Sequence, residues 1–307
     1  MIGTPVSMRV DVKETPVTRP SLRQIHDAAR PLVVPLAHDA LSARLIERAG
    51  FPSFNIGGSS LLAARHGLPD LGLAGMGEMA AAIQDIVQSV SIPCLADADD
   101  GYGDVKNVVH TVETYHRIGV RGMLIEDQSR DTKRPGEQAA QAVVQVELIE
   151  QKLRIALERR PDRDFVIIGR TDAAGTEGLD AALRRAERFL KLGVDGVFVA
   201  GLKSTSDLER TGAAFKGQWN MTVMPEGGRI AWHTPQELYA MGFSQVVYTN
   251  SLILRATGAM EQALDQIKGL GAGTAAAIGP AEGLATQAFD DAVQMRKWRE
   301  IGEASRV

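Results

Sequence analysis

The sequence predicts an α/β fold, a closed (βα)8 barrel of the TIM type with an additional C-terminal helix. Two observations favour this fold. Between residues 32 and 250, eight short apolar runs alternate with segments in which apolar residues have helical spacing. Four of these segments end in a glycine followed by an apolar residue, which is typical of a helix end that leads into a strand: they end at Gly50, Gly119, Gly193 and Gly242.

Eight strand–helix units in one chain favour closure into a barrel, because parallel strands need helical crossovers and eight of them complete a ring. The alternative is an open doubly wound sheet, whose first strand is commonly followed by Gly-x-Gly-x-x-Gly. No such motif follows the first apolar run. Gly57 and Gly58, which follow the second run, indicate no more than a close approach of the backbone.

The chain is expected to have three parts. Residues 1–30 show little periodicity and several prolines, which predicts an extended arm followed by a short helix from Ser21 to Ala29. Residues 31–270 form the barrel. Residues 271–307 are a glycine- and alanine-rich connector followed by a helix from about 285 to 304. Because a helix beyond the eighth unit has no place in the barrel, we expect it to pack on a neighbouring subunit.

Each apolar run is expected to form one strand, because its residues favour extended structure and turn-forming residues flank it. The runs are LVVPLA (32–37), FNIGG (54–58), IPCLADAD (92–99), GMLIED (122–127), FVIIGRTD (165–172), GVFVAG (196–201), MTVMPE (221–226) and QVVYTN (245–250). The clearest helix start is Thr234-Pro235-Gln236-Glu237, a capping box with proline in the first turn. A helix over 252–268 follows the eighth run.

Composition excludes several classes of protein. With 307 residues, of which 44% are hydrophobic, the chain can bury a complete core. A net charge of -4 without a basic block argues against a nucleic-acid partner. The sequence has neither a segment apolar enough to cross a bilayer nor a secretion signal, so we expect a cytoplasmic protein without a membrane partner. The single cysteine, Cys94, is expected to pack in the core.

The third run ends in carboxylates where a buried strand meets solvent. Side chains alternate along a strand, so Asp97 and Asp99 are expected on one face and Asp100 on the other. Two carboxylates on one face repel each other unless a cation lies between them, which favours Mg²⁺, with Mn²⁺ as a substitute. The alternative is that Asp99 and Asp100 start the turn at Gly101 and that Asp97 caps the next helix.

Polar residues also follow the other strands, at the end where parallel barrels place their catalytic groups. They are His38 and Asp39 after the first strand, Gly57 and Gly58 after the second, Glu126 and Asp127 at the fourth, Arg170 and Asp172 at the fifth, Glu226 at the seventh and Asn250 at the eighth. Singly, each is also typical of a helix cap or a surface salt bridge. Together with Asp97 and Asp99 they predict a cation-binding cluster faced by Arg170, which can hold a carboxylate. Such a site would stabilise an enolate of pyruvate.

Several motifs resemble the isocitrate lyase and phosphoenolpyruvate mutase superfamily: ADADDGYG at 96–103, IEDQ at 125–128 and RTDA at 170–173. The match covers most of residues 30–260. The resemblance implies an α/β barrel that uses Mg²⁺ and enolate chemistry on small 2-oxo or 2-hydroxy acids. It also implies a homotetramer, a dimer of dimers in which the C-terminal helix is exchanged between subunits.

The resemblance further implies roles for individual residues. The catalytic residues are expected to be Arg170, Glu126 and Asp70, the metal-site residues Asp97, Asp99 and Glu126, and the substrate-binding residues Gly57, Gly58, Ser59 and Arg170. Asp39, which follows the first strand, is also expected to bind substrate. Within this set, Asp99 would be the more direct metal ligand and Glu126 would hold a metal-bound water. Arg170 and the amides of the small-residue loop would bind the same substrate carboxylate.

Three features depart from the lyases of this superfamily. Their Lys-Lys/Arg-Cys-Gly-His loop carries a cysteine that acts as acid or base, whereas this chain has Lys133-Arg134-Pro135-Gly136-Glu137. Proline cannot donate a proton, so isocitrate or methylisocitrate cleavage by that route is not expected. Lys133, Arg134, Gly136 and Glu137 are expected to form a lid over the site. Ala200 and Val223 stand where those lyases have a glutamate and an asparagine, so contacts to a third carboxylate are lost.

The leading hypothesis is a Mg²⁺-dependent lyase that breaks a carbon–carbon bond of a small 2-oxo or 2-hydroxy acid, by decarboxylation or retro-aldol cleavage. The second is a phosphonomutase or a phosphonopyruvate hydrolase, in which the bond broken joins carbon to phosphorus. The loop from Gln128 to Gly136 does not reproduce the loop of those enzymes either. The third is a metabolite-binding protein without catalytic activity.

Overall fold

The computed structural model describes residues 19–132, 142–228, 230–274 and 283–304. Eight parallel strands in these ranges form a closed barrel in sequence order, with β8 paired to β1. The strands are β1 (Leu32–Ala37), β2 (Phe54–Ile56), β3 (Cys94–Asp97), β4 (Gly122–Glu126), β5 (Val166–Thr171), β6 (Gly196–Val199), β7 (Trp219–Val223) and β8 (Gln245–Tyr248). The predicted barrel is therefore confirmed, and the open doubly wound sheet is excluded.

Helices lie between successive strands and at both ends of the chain. They are α1 (Leu22–Ala28), α2 (Ala40–Arg48), α3 (Gly58–His66), α4 (Met76–Gln88), α5 (Val105–Arg117), α6 (Val146–Arg159), α7 (Ala173–Thr176), α8 (Leu179–Leu192), α9 (Thr205–Ala214), α10 (Pro235–Met241), α11 (Ser251–Gly271), α12 (Gly283–Ala292) and α13 (Met295–Ala304). Within the described ranges, none of them combines the length and the apolarity needed to cross a membrane.

The strands lie within the predicted runs except for β7, which begins two residues earlier at Trp219. Inward side chains such as Leu95, Leu124 and Ile168 fill the barrel. Their neighbours in the chain, such as Cys94, face outward and pack against the helices. Burial raises the pKa of the Cys94 thiol to about 12. This cysteine is a core residue, as predicted.

Helix α1 closes the amino-terminal end of the barrel. Leu22 belongs to the apolar cluster inside the barrel. The ring of His26 stacks on Trp219 with ring centroids 3.9 Å apart, and its Nε2 lies 2.8 Å from the hydroxyl of Ser244. The opposite end of the barrel, where the carboxyl ends of the strands meet, is the one that parallel barrels use for ligands. We call this end the mouth.

Local signals in the sequence set the ends of several helices. Gly193 follows α8 with a φ of 97°, a conformation that glycine adopts without strain. Gly242 follows α10 with a φ of 121°, and a Cβ there would overlap the backbone of Gly212. The predicted capping box opens α10. Thr234 Oγ1 accepts the Glu237 N–H at 3.2 Å, and the Glu237 carboxylate accepts the Thr234 N–H at 2.7 Å.

The single C-terminal helix predicted over residues 285–304 is wrong, because the segment contains two helices. Gln294 has a φ of 56°, which no continuous helix allows, and it separates α12 from α13. In the single chain, α12 packs on α2. Arg44 and Arg48 donate hydrogen bonds of 3.1 and 2.8 Å to the backbone carbonyls of Ala292 and Ala288. Exchange of this segment between subunits stays a prediction.

Candidate active site

Three charged side chains face into the mouth from neighbouring strands. Asp97, Glu126 and Arg170 each lie two residues after a side chain that fills the interior of the barrel. Since side chains alternate along a strand, all three share the inward face. Glu126 and Arg170 are also direct partners in the pairing of β4 with β5. The structure therefore brings together three residues that the sequence analysis assigned to the site.

Arg170 is held between two carboxylates. Its Nε and Nη2 each donate to Asp172 at 2.8 Å, and its Nη1 lies 2.8 Å from Glu126 Oε2. The guanidinium also lies 5.4 Å from the centre of the Phe198 ring. Burial acts to lower the pKa of Arg170, but the charges of Asp172 and Glu126 outweigh it and hold that pKa well above its usual value. Arg170 is therefore charged and fixed in orientation.

Glu126 belongs to the Arg170 ion pair and is 2% exposed. Gln128 Nε2 also donates to its Oε2 at 3.2 Å. Within the described ranges, no three His, Cys, Asp or Glu side chains converge closely enough to hold a metal. The structure thus does not assemble Asp97, Asp99 and Glu126 as three direct ligands, because Glu126 is drawn to Arg170. A role for Glu126 through a metal-bound water stays a prediction.

The turn after β3 differs from the prediction. The strand ends at Asp97, so strand alternation is the wrong explanation for Asp99. Asp99 has a φ of 46°, and its N–H donates to Asp97 Oδ1 at 3.1 Å. Asp100 turns to Arg130 and Lys152, at 2.8 and 3.2 Å. Burial acts to raise the pKa of Asp100, but these two cations outweigh it and the pKa is lowered.

Asp97 and Asp99 form a donor set that fits Mg²⁺. Both side chains are half-buried within one turn, and both offer the hard oxygen donors that this ion prefers. Mg²⁺ commonly takes one or two protein carboxylates and completes its shell with water and substrate oxygens. Gly58 lies next to the carboxylates of Asp97 and Asp70. A Cβ there would lie 3.6 and 3.7 Å from Oδ2 of Asp97 and of Asp70, respectively.

The predicted small-residue loop forms the amino-terminal end of α3. The Gly58 N–H donates to Asp97 Oδ2 at 3.4 Å, and the Ser59 hydroxyl lies 3.4 Å from Asn250 Oδ1. A Cβ at Gly57 would lie 2.6 Å from a methyl of Leu36, so a larger residue there would require the Leu36 side chain to move. In this structure the loop therefore orients Asp97. Its binding of a substrate carboxylate stays a prediction.

Asp39 caps α2. Its Oδ1 accepts the Ser42 N–H at 2.7 Å, and the Ser42 hydroxyl accepts the Asp39 N–H at 3.0 Å, which completes a capping box. The carboxylate also lies 3.9 Å from His38 Nε2, and burial lowers the pKa of that histidine. Asp39 has a clear structural role, and its contact with substrate stays a prediction. The predicted lid residues Lys133, Arg134, Gly136 and Glu137 lie outside the described residues.

On β6 and β7 the inward side chains at the mouth are apolar, and we call this part of the mouth its apolar half. Phe198 and Ala200 belong to the cluster inside the barrel, and Val223 packs against it. Two of these positions, Ala200 and Val223, are those at which the sequence analysis noted the loss of an acid and an amide. Glu226 follows β7 but pairs with Arg255 at 3.1 Å.

Three cationic side chains that contact aspartates of the site were not predicted from the sequence. Arg130 follows β4, and Lys152 and Arg185 lie on α6 and α8, where they are 4% and 9% exposed. Arg185 Nη1 lies 3.4 Å from Asp127, whose carboxylate also accepts the Thr171 hydroxyl at 2.7 Å. One feature of the sequence could have identified Lys152 and Arg185. Each cation interrupts the apolar spacing of the buried helix face.

A family model described as phosphoenolpyruvate phosphomutase matches residues 22–268, which is more than half of the chain. The chain belongs to the isocitrate lyase/phosphoenolpyruvate mutase superfamily. It is 34% identical over 243 residues to 2,3-dimethylmalate lyase from Eubacterium barkeri, over 79% of this chain and 83% of that protein. The resemblance drawn from the motifs is therefore confirmed.

Solved structures of the superfamily superpose on this chain. Oxaloacetate acetylhydrolase in complex with the inhibitor 3,3-difluorooxalacetate matches with a TM-score of 0.84 and 26% identity, over 93% of this chain and 96% of that chain. Phosphonopyruvate hydrolase in complex with oxalate and Mg²⁺ matches with a TM-score of 0.74 and 25% identity, over 93% and 97% of the two chains. These superfamily relatives are enzymes that act on small acids.

Proposed function

We propose that this protein is a Mg²⁺-dependent lyase that breaks a carbon–carbon bond of a small 2-oxo or 2-hydroxy acid, by decarboxylation or retro-aldol cleavage. One observation carries the proposal. Arg170 is fixed by Asp172 and Glu126 in a barrel mouth that is apolar on β6 and β7. This mouth fits a substrate with a carboxylate at one end and an alkyl group at the other.

Arg170 is suited to bind the substrate carboxylate. A guanidinium has five N–H donors, of which two donate to Asp172, and Nη1 forms an ion pair with Glu126. The remaining donors can bind a ligand while both ion pairs stay intact. Because the side chain is already oriented, little conformational freedom is lost on binding.

Asp97 and Asp99 would hold the magnesium ion. When bound, the ion would supply positive charge beside the substrate oxygen on which negative charge develops as the bond breaks. The two carboxylates, which lie within one turn, support this part of the proposal. A superfamily relative crystallised with oxalate and Mg²⁺ supports it further.

The apolar half of the mouth favours a carbon–carbon over a carbon–phosphorus bond. A phosphonate group is strongly charged and needs donors, and Phe198, Ala200 and Val223 offer no polar side chain. An alkyl substituent, as in the 2,3-dimethylmalate named for one relative, would instead gain about 0.8 kcal/mol for each buried methylene. We therefore place alkyl-substituted acids first among the substrates.

We also propose that the protein assembles into a homotetramer. Helix α11 has no buried residue in the single chain. The exposed apolar residues of α11 and α13 include Leu254, Met260, Leu264, Ile267, Trp298 and Ile301. Apolar residues clustered in this way are commonly covered by another subunit. Light scattering should give four times the chain mass of 33.0 kDa, and a monomer mass would contradict the proposal.

Substrate turnover tests the proposed reaction. The protein is incubated with Mg²⁺ and, in turn, oxaloacetate, 2,3-dimethylmalate, other alkylmalates and phosphonopyruvate, and the products are followed by proton and phosphorus NMR. We expect a 2-oxo acid to appear from a carbon substrate. We expect that activity to vanish with a chelator and in Asp99→Asn. Asp85→Asn, an exposed aspartate paired with Arg65, is the control and should keep full activity.

Each other outcome points to a different function. Turnover of phosphonopyruvate alone would replace the proposal with phosphonate chemistry. Full activity in Asp99→Asn would remove the metal site from the mechanism. A higher melting temperature with Mg²⁺ and oxalate, without turnover of any substrate, would indicate a binding protein.

A further inference from the structure

We propose that Arg130 competes with the bound cation for the carboxylate of Asp99 and so weakens cation binding. In the cation-free protein its guanidinium neutralises Asp99, and when a dication binds to Asp99 the guanidinium remains on Asp100 alone. This inference rests on the proposed metal site at Asp97 and Asp99. It goes beyond that site because it assigns a role to a side chain outside the donor set.

Arg130 is shared unequally between two neighbouring carboxylates. Its Nη2 lies 2.8 Å from Asp100 Oδ1 but 3.3 Å from Asp99 Oδ2, and its Nε lies 3.3 Å from Asp100 Oδ1. The single longer contact to Asp99 is the weaker one. Arg130 can therefore give up Asp99 and keep its two contacts to Asp100.

The aliphatic part of Arg130 is anchored independently of Asp99. Gly72 has a φ of 72°, and a Cβ there would lie 3.0 Å from Arg130 Cγ. The aliphatic part of Arg130 therefore packs directly against the Gly72 backbone. The guanidinium lies 5.3 Å from the centre of the Tyr102 ring. These contacts keep the guanidinium next to the turn after β3 whether or not it touches Asp99.

Asp100 is also held by a second cation. Lys152 Nζ donates to the Asp100 backbone carbonyl at 2.7 Å and to its Oδ2 at 3.2 Å, and the lysine is 4% exposed. A cavity of about 520 Å³, lined by Arg130, Asp100 and Lys152 among others, borders the pair. The guanidinium therefore has room to turn fully onto Asp100 while that carboxylate stays in place.

Arg130 and a dication would thus compete for Asp99. A positive charge a few ångströms from a dication raises its free energy, and removal of that charge should tighten cation binding. The sign of this effect separates the inference from a purely structural role. A variant that has lost local order would bind the cation less tightly.

The test is a titration with Mn²⁺ alone, in which the free ion is measured by electron paramagnetic resonance. In Arg130→Gln the dissociation constant should fall on the order of ten-fold at low salt. Arg130→Lys keeps the charge and should stay near the wild-type value. Arg210→Gln removes a positive charge from the exposed pair with Asp180, away from the mouth, and should leave the dissociation constant unchanged.

Two results would overturn the inference, and Asp99→Asn tells them apart. If Asp99→Asn loses the ion but Arg130→Gln binds it no more tightly than Arg210→Gln, the role of Arg130 is refuted and the metal site stands. If Asp99→Asn binds Mn²⁺ like the wild type, the proposed metal site fails and the inference fails with it.

Discussion

The two halves of the barrel mouth are built in different ways. On β3 to β5 the inward residues are Asp97, Glu126 and Arg170, which are charged and held by hydrogen bonds. On β6 and β7 they are Phe198 and Val223, which are held by packing alone. The halves meet where the Arg170 guanidinium lies against the Phe198 ring.

This difference separates two tasks. The charged half is braced from outside the barrel, since Asp127 accepts the Asp172 N–H at 2.9 Å and Arg185 lies beside Asp127. Such a hydrogen-bond network fixes the orientation of each side chain and tolerates few amino-acid substitutions. Apolar packing is less directional, so residues of similar volume can be exchanged. We expect the charged half to determine the reaction and the apolar half to select the substrate.

The largest effect should come from a change in the charged half. Arg170→Lys keeps a positive charge but cannot make the paired contact to Asp172, so kcat/KM for the best substrate should fall about 10³-fold. Steady-state kinetics measure the loss. Arg188→Lys, at an exposed ion pair with Glu150, is the control and should behave like the wild type. An Arg170→Lys enzyme of normal efficiency would show that the paired geometry is unnecessary.

A polar residue in the apolar half should have a smaller and selective effect. Val223→Asn should lower kcat/KM for an alkyl substrate by about ten-fold, because the amide must be desolvated against an alkyl group. A substrate with an additional hydroxyl or carboxyl group should lose less. Thr222→Val, at the outward-facing neighbour, is the control for changes in β7. Equal losses on both kinds of substrate would contradict a role in selection.

The smallest effect concerns stability. Burial raises the pKa of Asp127 to about 6, above its value in the unfolded chain. The folded state therefore binds this proton more tightly, and the stabilisation is complete at low pH and is lost as the pH rises through 6. Between pH 7 and pH 5 the wild type should gain about 1 kcal/mol that Asp127→Asn lacks. Urea unfolding at both pH values measures this difference, and parallel pH profiles would contradict it.

The sequence was sufficient to predict the barrel and the charged side chains that face into its mouth. Apolar runs and glycine-terminated helices recur in every part of the barrel, and strand ends place Asp97 and Arg170 at one end. The position of Asp99 could not be derived, because its left-handed backbone breaks the alternation of the strand. The roles of Arg130 and Lys152 depend on contacts with Asp100 across at least thirty positions of sequence, which no local pattern encodes.

The amino-terminal end of the barrel is closed by α1, a helix that belongs to none of the eight repeating units. Leu22 and His26 seal the end that lies farthest from the reacting groups. The contacts that close the barrel and the groups proposed to react thus lie at opposite ends of one molecule. Descendants of this chain could acquire new substrates at one end while inheriting the other unaltered.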